Sequence, residues 1–291
     1  MKSNFTGTIA LVTGATNQIG RFLLPRLSAS GSPVFAYSRH PPKNNQGIVW
    51  QSSDLTTTVL SVTQPSFLFH IAPLPLLPRL LANLPESAPL LRVITFSSTS
   101  RFTKADSPDP RERAIADQLT TAETLFIREC TRRQLPWTLF RPTLIYGCGQ
   151  DKNVTFIANF IRRFGFFPLV GNGIGLRQPV HADDLAVACL QVCQAPTTYY
   201  KAYNLSGGQT LSYRDMVVAI FHRLGKSPRI LPLPLSLLKL LLSGISWLPT
   251  YAHLSPAMLL RVNQDLCFDH TNAARDFGYQ PRTFSDNEMG F

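Results

Sequence analysis

The chain has 291 residues, of which 44% are hydrophobic and 15% are charged, so it is long enough to bury a large core. This composition excludes long disordered and repetitive regions. The net charge of +11 favours anionic partners such as phosphorylated cofactors, nucleotide-linked substrates or an acidic membrane surface. The basic residues are scattered, and no zinc-finger or RNA-binding signature occurs, which excludes a nucleic-acid partner.

The cysteines and the N-terminal residues indicate the cellular compartment of the protein. The chain has five cysteines, none in Cys-x-x-Cys spacing, and this usage suits a reducing environment. No signal-peptide pattern precedes the first apolar run. We therefore expect a cytoplasmic protein, and we expect no metal site.

The first apolar run, residues 9–12, is β-prone and predicts a buried strand. A glycine turn follows, and apolar residues at helical spacing over 19–27 predict a helix. This order is the context of a dinucleotide fingerprint, in which a helix N-terminus holds a pyrophosphate. We expect cofactor contacts from Gly14, Thr16, Asn17, Gln18, Ile19 and Gly20.

The turn resembles the Thr-Gly-x-x-Gly-x-x-Gly run of the short-chain dehydrogenase/reductase superfamily. Gly14 and Gly20 match its first and third glycines, while Asn17 replaces the second. Asn adopts a positive φ more readily than other non-glycine residues, so we expect the turn to survive with a less open approach to the phosphate. The alternative is an ordinary strand-to-helix turn.

The second strand, predicted over 33–38, ends where such folds place an acid on the ribose 2′-hydroxyl. This chain has Ser38 and Arg39 there instead. A hydroxyl and a guanidinium suit a 2′-phosphate, so NADP(H) is favoured over NAD(H). The alternative for Arg39 is a solvated side chain at a strand end.

A short third strand over 47–51 precedes Asp54 and Leu55. In the extended branch of the superfamily, an Asp-Leu pair at this place contacts the adenine ring. Asp54 as a plain helix N-cap is an equal alternative.

The next two strands resemble family strand ends. The strand over 66–71 leads through His70 to Ala72, similar to a His-x-Ala-Ala end that runs beside the cofactor. The strand over 92–96 leads to Thr99, at the place of the family hydroxyl that bonds the reacting substrate oxygen. The alternative for His70 is a purely structural histidine. The alternative for Thr99 is a loop whose hydroxyls form hydrogen bonds with its own backbone.

The family's catalytic Tyr-x-x-x-Lys pair is missing. It belongs on the helix predicted over 112–133, where residues four apart share a face. Counting back from Glu123, which resembles the family's following Glu, the two positions hold Ile115 and Leu119. Neither can transfer a proton. Either ordinary hydride chemistry is absent, or other groups replaced the pair, with Thr99, Lys104, Tyr146 and His70 as unranked candidates.

The second half begins with a segment, residues 141–147, that resembles the extended branch's Arg-Pro-x-x-x-Tyr-Gly. The resemblance places Pro142 and Tyr146 beside the nicotinamide. Asn153 then precedes an amphipathic helix and falls where nucleotide-sugar members place an Asn on the substrate. A helix N-cap is the alternative for Asn153.

Residues 171–186 resemble a family segment of the form Gly-x-Gly…Arg-x-x-x-His-x-x-Asp-Leu-Ala. Its Arg pairs with the substrate diphosphate, so the resemblance makes Arg177 a substrate-binding candidate. We expect Asp184 to cap the following helix and His181 to pack against it. A Leu-rich stretch over 235–248 is too short to cross a bilayer and reads as a buried or oligomer-facing helix, or as a membrane-surface helix.

A terminal segment over 268–281 completes a resemblance that spans nearly the whole chain. The chain is similar to extended (atypical) short-chain dehydrogenases/reductases of the nucleotide-sugar epimerase/dehydratase type. The implied fold is α/β, a Rossmann-type doubly wound parallel sheet with a smaller C-terminal α/β lobe. Residues 1–150 would form the NAD(P)-binding domain, with its sheet completed by 178–208, and 151–177 with 209–291 the substrate lobe.

Three functions are compatible with these residues. The first is an oxidoreductase or epimerase that acts on a nucleotide-linked sugar, or a similar anionic small molecule, through an altered catalytic set. The second is a catalytically degenerate NADP(H)-binding regulatory or structural protein. The third is a structural subunit at a membrane, with weak surface contact. A homodimer is also compatible with the sequence.

Overall fold

The structure is a computed structural model that describes residues 7–43, 47–234 and 261–284. Its helices and strands in chain order are β1 (Ile9–Thr13), α1 (Gln18–Ala29), β2 (Val34–Ser38), β3 (Val49–Ser52), β4 (Ser66–His70), α2 (Leu77–Ala82), β5 (Leu90–Phe96), α3 (Ser100–Thr103), α4 (Pro110–Arg132), β6 (Trp137–Pro142), β7 (Ile145–Tyr146), α5 (Val154–Phe164), β8 (Phe167–Val170), β9 (Leu176–Arg177), β10 (Val180–His181), α6 (Ala182–Cys193), β11 (Lys201–Leu205), β12 (Leu211–Ser212), α7 (Tyr213–Arg223), β13 (Ile230–Leu233) and α8 (Thr271–Phe277).

Seven parallel strands form one sheet in the order β3-β2-β1-β4-β5-β6-β11. The chain winds outward from β1 in one direction and from β4 in the other, which confirms the doubly wound fold expected from the sequence. Ligands of such sheets lie beyond the carboxyl ends of the strands, near the point where the winding reverses. Short two-stranded pairs, β7 with β10, β9 with β12 and β8 with β13, lie outside this sheet.

Two glycines make the turn between β1 and α1 possible. Gly14 has φ +73°, and a Cβ there would lie 2.5 Å from the backbone nitrogen of Ala72. A Cβ at Gly20 would lie 2.0 Å from the carbonyl oxygen of Ala15. Only glycine therefore lets this turn pack against the chain that follows β4.

The buried apolar residues form three clusters. One lies between the sheet and the helices α1 and α6, and a second packs α2 and α4 on the sheet. The third lies among α5, α7 and β8 in the second half of the chain. Representative fully buried members of the three clusters are Leu23 and Leu185, Leu80 and Phe126, and Ile157 and Phe221.

The prolines over 73–89 shorten the helix of that region, as expected, to the six residues of α2. Among the residues that the structure describes, no helix has both the length and the apolar character needed to cross a bilayer. The predicted Leu-rich helix over 235–248 lies outside the described residues.

Candidate functional site

Asn17 sits in the glycine turn with an ordinary backbone. Its φ is −73°, so the expectation of a positive φ at this position is wrong. Asn17 is instead the N-cap of α1, where its Oδ1 accepts a hydrogen bond from Gly20 N at 2.9 Å. Its Nδ2 donates to the carbonyl of Ile71, just past β4. A carboxamide thus occupies the place that a second glycine would leave open.

The end of β2 carries a hydroxyl and an exposed arginine, and it lies next to a hydroxyl of the glycine turn. Thr16 Oγ1 and Ser38 Oγ lie 3.1 Å apart, so the turn and the strand end are joined directly. The backbone N–H of His40 donates to Ser38 Oγ at 3.2 Å, and the Arg39 side chain faces solvent. Gln18 and Ile19 begin α1 next to this group.

Asp54 follows β3 and closes a turn. Its carboxylate accepts hydrogen bonds from Thr56 N at 2.9 Å and Thr56 Oγ1 at 2.8 Å, and these bonds hold the pKa of Asp54 below its usual value. Residues 55–57 form a turn, so the helix N-cap alternative is wrong. Leu55 packs half-buried against the second apolar cluster.

His70 ends β4 in a fully buried position. Its Nδ1 lies 2.8 Å from Thr13 Oγ1 and its Nε2 lies 3.2 Å from the Pro73 carbonyl. Burial lowers the pKa of His70 to about 4. The histidine is therefore neutral at pH 7 and joins the ends of β1 and β4, as a structural residue does.

A cavity of about 300 Å³ lies beyond the carboxyl ends of β5 and β6. Its wall combines three predicted site residues, Thr99, Asn153 and Arg177, which lie far apart in the sequence. The other side chains that line it are Ser98, Ser100, Thr103, Lys104, Thr143, Leu144, Ile145, Gln178, Tyr213, Arg261, Val262 and Leu266. Hydroxyls, amides and cations lie beside apolar side chains in this wall, and these polar groups suit an anionic ligand.

The two predicted catalytic hydroxyls differ in their surroundings. Thr99 lines the cavity, and its Oγ1 donates to the Pro142 carbonyl at 3.1 Å, which leaves its lone pairs free to accept. Tyr146 is fully buried between His181 and Phe284, with ring centroids 5.0 and 4.9 Å away. Burial raises the pKa of Tyr146, which is a core residue outside the cavity wall.

The cap of α5 comes from Asp151 rather than from Asn153. The Asp151 carboxylate accepts from Asn153 N and Thr155 N, each at 3.0 Å. The Asn153 side chain makes no capping hydrogen bond. The N-cap alternative for this side chain is wrong, and its amide remains available at the cavity.

Arg177 is a largely buried residue of the cavity wall. Its Nη1 donates to the carbonyls of Leu176 and Gln264 at 2.7 Å each, and its Nη2 donates to the carbonyl of Arg261. Its guanidinium also lies 5.6 Å from the ring centroid of Tyr213. Arg177 therefore ties residues 261–264 to β9 and places a positive charge beside the cavity.

Lys104 and Arg261 bring two further cations to the cavity. Arg261 forms an ion pair with Glu112 on α4, and Glu112 also accepts from Ser107 Oγ at 2.7 Å. Burial, followed by the charge of Arg261, lowers the pKa of Lys104, which Glu112 partly offsets. Sequence reasoning missed Arg261 because its partner Glu112 lies 149 positions away.

The helix that should carry the catalytic pair is α4. Ile115 is 41% exposed, and Leu119 is half-buried. Glu123 lies one turn further on, with its carboxylate buried between the guanidiniums of Arg101 and Arg141. The helix thus packs against the sheet, and the two positions at which the resemblance predicts a tyrosine and a lysine carry aliphatic side chains.

The N-cap of α6 is His181, whereas the sequence predicted Asp184. His181 Nδ1 accepts the hydrogen bond from Asp183 N at 3.1 Å, so His181 is the N-cap. Asp184 accepts from the guanidinium and backbone N–H of Arg282 instead. An imidazole can accept this bond because burial, aided by Arg282, lowers the pKa of His181.

The described residues fit a dinucleotide cofactor in part. The turn at Gly14, the α1 N-terminus and the hydroxyls at the end of β2 match the adenosine half. Ser97 Oγ, buried just past β5, has no hydrogen-bond partner among the described residues, as a group awaiting a ligand would. Against the fit, Asn17 narrows the pyrophosphate approach, and Leu119 replaces the lysine that would hold the ribose.

A family model covers the middle of the chain. It describes the NAD dependent epimerase/dehydratase family and matches residues 79–206. This segment runs from α2 to the strand end after β11 and contains most of the cavity wall. The match shows that residues 79–206 are similar to this family. Ile115 and Leu119 lie within the matched segment, at the positions where the sequence resemblance predicts a tyrosine and a lysine.

Two proteins of similar sequence match the chain beyond residues 79–206. The protein y4nG of Sinorhizobium fredii, which is uncharacterized, is 23% identical over 96% of this chain and 76% of its own length. The mitochondrial NADH dehydrogenase [ubiquinone] 1 alpha subcomplex subunit 9 of Arabidopsis thaliana is 23% identical over 82% of this chain, which spans 63% of that protein.

The solved structure of MoeE5 in complex with UDP-glucuronic acid and NAD shares the fold. Its TM-score is 0.71 at 21% identity, and the match covers 94% of each chain. The likeness confirms the Rossmann-type fold.

Proposed function

We propose that the protein is an NADP(H)-linked enzyme that acts on a nucleotide-linked sugar, with Lys104 in the proton-transfer role of the missing tyrosine. The observation that carries this proposal is the cavity at the ends of β5 and β6. There Lys104 lies with Thr99 and Asn153 in a wall of hydroxyls and cations. The fold of MoeE5, which holds UDP-glucuronic acid and NAD, supports the choice of ligand class.

The preference for NADP(H) rests on the end of β2. Arg39 is exposed and Ser38 carries a hydroxyl, while no carboxylate follows the strand directly. A ribose 2′-phosphate would find a cation there, and a 2′-hydroxyl would find no acid. Residues 151–177 and 209–291 would form the substrate lobe that faces this cofactor domain.

The roles of the cavity residues follow from their chemistry. A bound nicotinamide supplies a hydride donor or acceptor. The Thr99 oxygen accepts a hydrogen bond from the hydroxyl on the sugar carbon that is oxidised, and Lys104 takes the proton. Burial and the charge of Arg261 lower the pKa of Lys104, which is the direction that favours a proton-accepting amine. Asn153 and the charges of Arg177 and Arg261 bind the phosphates.

Two paired variants test the substrate site. Asn153→Ala removes an amide that caps nothing, so UDP affinity should fall by about tenfold. Asn159→Ala on the exposed side of the same helix is the matched control and should leave UDP affinity unchanged. Isothermal titration with UDP measures both. Equal losses in the two variants would contradict the assignment of Asn153.

Lys104→Met tests proton transfer. We expect kcat for NADP⁺-dependent oxidation of UDP-glucuronic acid to fall by roughly 10²- to 10⁴-fold. UDP affinity should fall far less, and the rise of kcat with pH that follows deprotonation of Lys104 should disappear. Lys152→Met, at an exposed lysine, is the control. Turnover that survives Lys104→Met would remove Lys104 from the mechanism.

A second candidate is an NADP(H)-binding regulatory or structural protein without turnover. It is favoured by Ile115 and Leu119 on α4 and by the Asn17 side chain in the phosphate turn. Saturable NADPH binding without turnover above a Thr99→Val control would support this candidate. No NADPH binding at all would contradict both candidates.

A further inference from the structure

Residues 261–268 form one side of the cavity and are held to the second half of the chain; we call them the cavity strap. Asn263 Oδ1 accepts a hydrogen bond from Gly173 N at 3.1 Å. Leu266 N donates to the carbonyl of Leu176 on β9 at 2.9 Å. The residues of the cavity strap that line the cavity are Arg261, Val262 and Leu266.

Two contacts join the cavity strap to the first half of the chain. Arg261 forms an ion pair with Glu112 on α4. The ring of Phe268 lies 5.9 Å from the ring of Phe102 on α3, measured between centroids. Glu112 does not itself line the cavity. The ion pair therefore reaches from the cavity wall to a carboxylate outside it and connects the two halves of the chain.

The carboxylate of Glu112 is negatively charged at neutral pH. Its side chain is 8% exposed, and it accepts hydrogen bonds from Arg261 and, at 2.7 Å, from Ser107 Oγ. Burial alone would raise the pKa of Glu112, but these two hydrogen bonds outweigh it and hold the pKa below its usual value. Glu112 also lies in the first turn of α4, where the helix dipole favours a negative charge.

Arg261 differs from Arg177, the other guanidinium in the described part of the cavity wall. Arg177 donates to three backbone carbonyls, which hold its guanidinium without adding a negative charge. Arg261 instead donates through Nη1 to the charged carboxylate of Glu112. An anion that enters the cavity therefore meets, at Arg261, a guanidinium that a carboxylate already engages.

We propose that Glu112 is a positioning residue that acts through Arg261: it holds the guanidinium at the cavity wall and competes with ligand phosphates for it. This inference rests on the proposed function, in which Arg261 binds the phosphates. A ligand must offset the attraction between Glu112 and Arg261 before it gains from that guanidinium. Removing the charge of Glu112 while keeping its shape therefore strengthens the binding of phosphates.

Isothermal titration of the full chain with UDP and with pyrophosphate tests this proposal. Glu112→Gln keeps the size and an oxygen acceptor for Arg261 but removes the charge, so both ligands should bind about fivefold more tightly. Glu112→Asp keeps the charge, so both affinities should stay close to those of the unchanged protein. The matched control is Glu129→Gln, which removes a carboxylate paired with Arg132 and Arg133 at the other end of α4.

A double-mutant cycle tests whether Glu112 acts through Arg261. Arg261→Gln should lower UDP affinity about tenfold. In that background Glu112→Gln should have a much smaller effect than it has alone, because no guanidinium is left for the carboxylate to engage. Thermal unfolding of each variant checks that the fold is kept.

Three results would overturn the proposal. The first is an equal change of affinity in Glu112→Gln and Glu112→Asp, which a purely structural role would produce. The second is a gain in Glu129→Gln as large as the gain in Glu112→Gln. The third is an undiminished gain from Glu112→Gln in the Arg261→Gln background.

Pyrophosphate separates this proposal from the proposed function. If UDP did not bind, or if no nucleotide-linked sugar were turned over, the proposed function would fail, while tighter pyrophosphate binding by Glu112→Gln would still support the role of Glu112. Absence of binding of both UDP and pyrophosphate, in the unchanged protein and in Glu112→Gln, would overturn the role of Glu112 as well.

Discussion

The side chain of Asn17 donates a hydrogen bond to the carbonyl of Ile71, so the phosphate turn is bonded to the chain just past β4. The same carboxamide accepts the N–H of Gly20 at 2.9 Å. One side chain thus caps α1 and uses a backbone donor that a pyrophosphate would otherwise engage. Asn17 therefore sets how tightly this turn can hold a dinucleotide.

Replacing Asn17 should change cofactor affinity in opposite directions. Asn17→Gly removes the carboxamide from the turn at a cap cost of only a few tenths of a kcal/mol, so NADPH should bind more tightly. Asn17→Asp keeps the size and the cap but adds a negative charge beside the pyrophosphate, so NADPH should bind more weakly. NADPH fluorescence titration measures both. Identical affinities in the two variants would show that the pyrophosphate does not approach this turn.

Arg39 should determine the choice between the two nicotinamide cofactors. Arg39→Asp removes the cation for a 2′-phosphate and supplies an acceptor for a 2′-hydroxyl, so the NADPH-to-NADH affinity ratio should fall by at least about tenfold. Arg79→Asp, an equal charge change at an exposed position of α2, is the control. The idea fails if both variants alter the ratio to the same extent.

Glu123 should be a main stabilising residue of α4. Its carboxylate is 2% exposed and accepts from Arg101 and from Arg141, so Glu123→Gln leaves two partly buried cations without their counter-charge. We expect the free energy of unfolding to fall by about 2–4 kcal/mol in a denaturant titration.

The control for that measurement is Glu86→Gln. Glu86 is 65% exposed in its ion pair with Arg132, so its loss should cost about 0.5 kcal/mol or less. A comparable loss of stability in the two variants would mean that burial of the Glu123 carboxylate has no energetic consequence.

His70 should make the protein less stable in acid. Its folded pKa of about 4 lies below the ordinary value of 6.5, so the unfolded chain binds the proton first as pH falls. The contribution of neutral His70 is complete above about pH 6.5 and is lost between pH 6.5 and 4, by roughly 3 kcal/mol in total. His70→Gln should flatten the pH dependence of the unfolding free energy in this range. His222→Gln, at an exposed histidine, is the control variant.

Local patterns in the sequence predicted the sheet strands and the long helices to within a few residues. The predicted strand over 33–38 is observed as Val34–Ser38, and the helix predicted over 112–133 is observed as Pro110–Arg132. Alternation of apolar segments and turn residues is enough to predict these elements, because apolar residues repeat with a different period in helices and in strands. The loss of the catalytic pair at Ile115 and Leu119 also needed only the sequence.

Assignments of caps were less successful, because several polar side chains compete for the same backbone N–H groups. Asp151 caps α5 in place of Asn153, and His181 caps α6 in place of Asp184. The choice depends on distant partners, such as Arg282, which engages Asp184 from 98 positions away. Sequence spacing alone does not rank such competitors.

The sequence by itself determined the fold class, the family resemblance and the absence of a tyrosine–lysine pair, since these depend on residue identity and local period. Only the tertiary structure decided which of the remaining candidates lie together. It buried His70 and Tyr146 in the core, while it placed Lys104 and Thr99 on the wall of one cavity. Packing of strand ends and of residues far apart in the chain creates that cavity, and no local pattern encodes those long-range contacts.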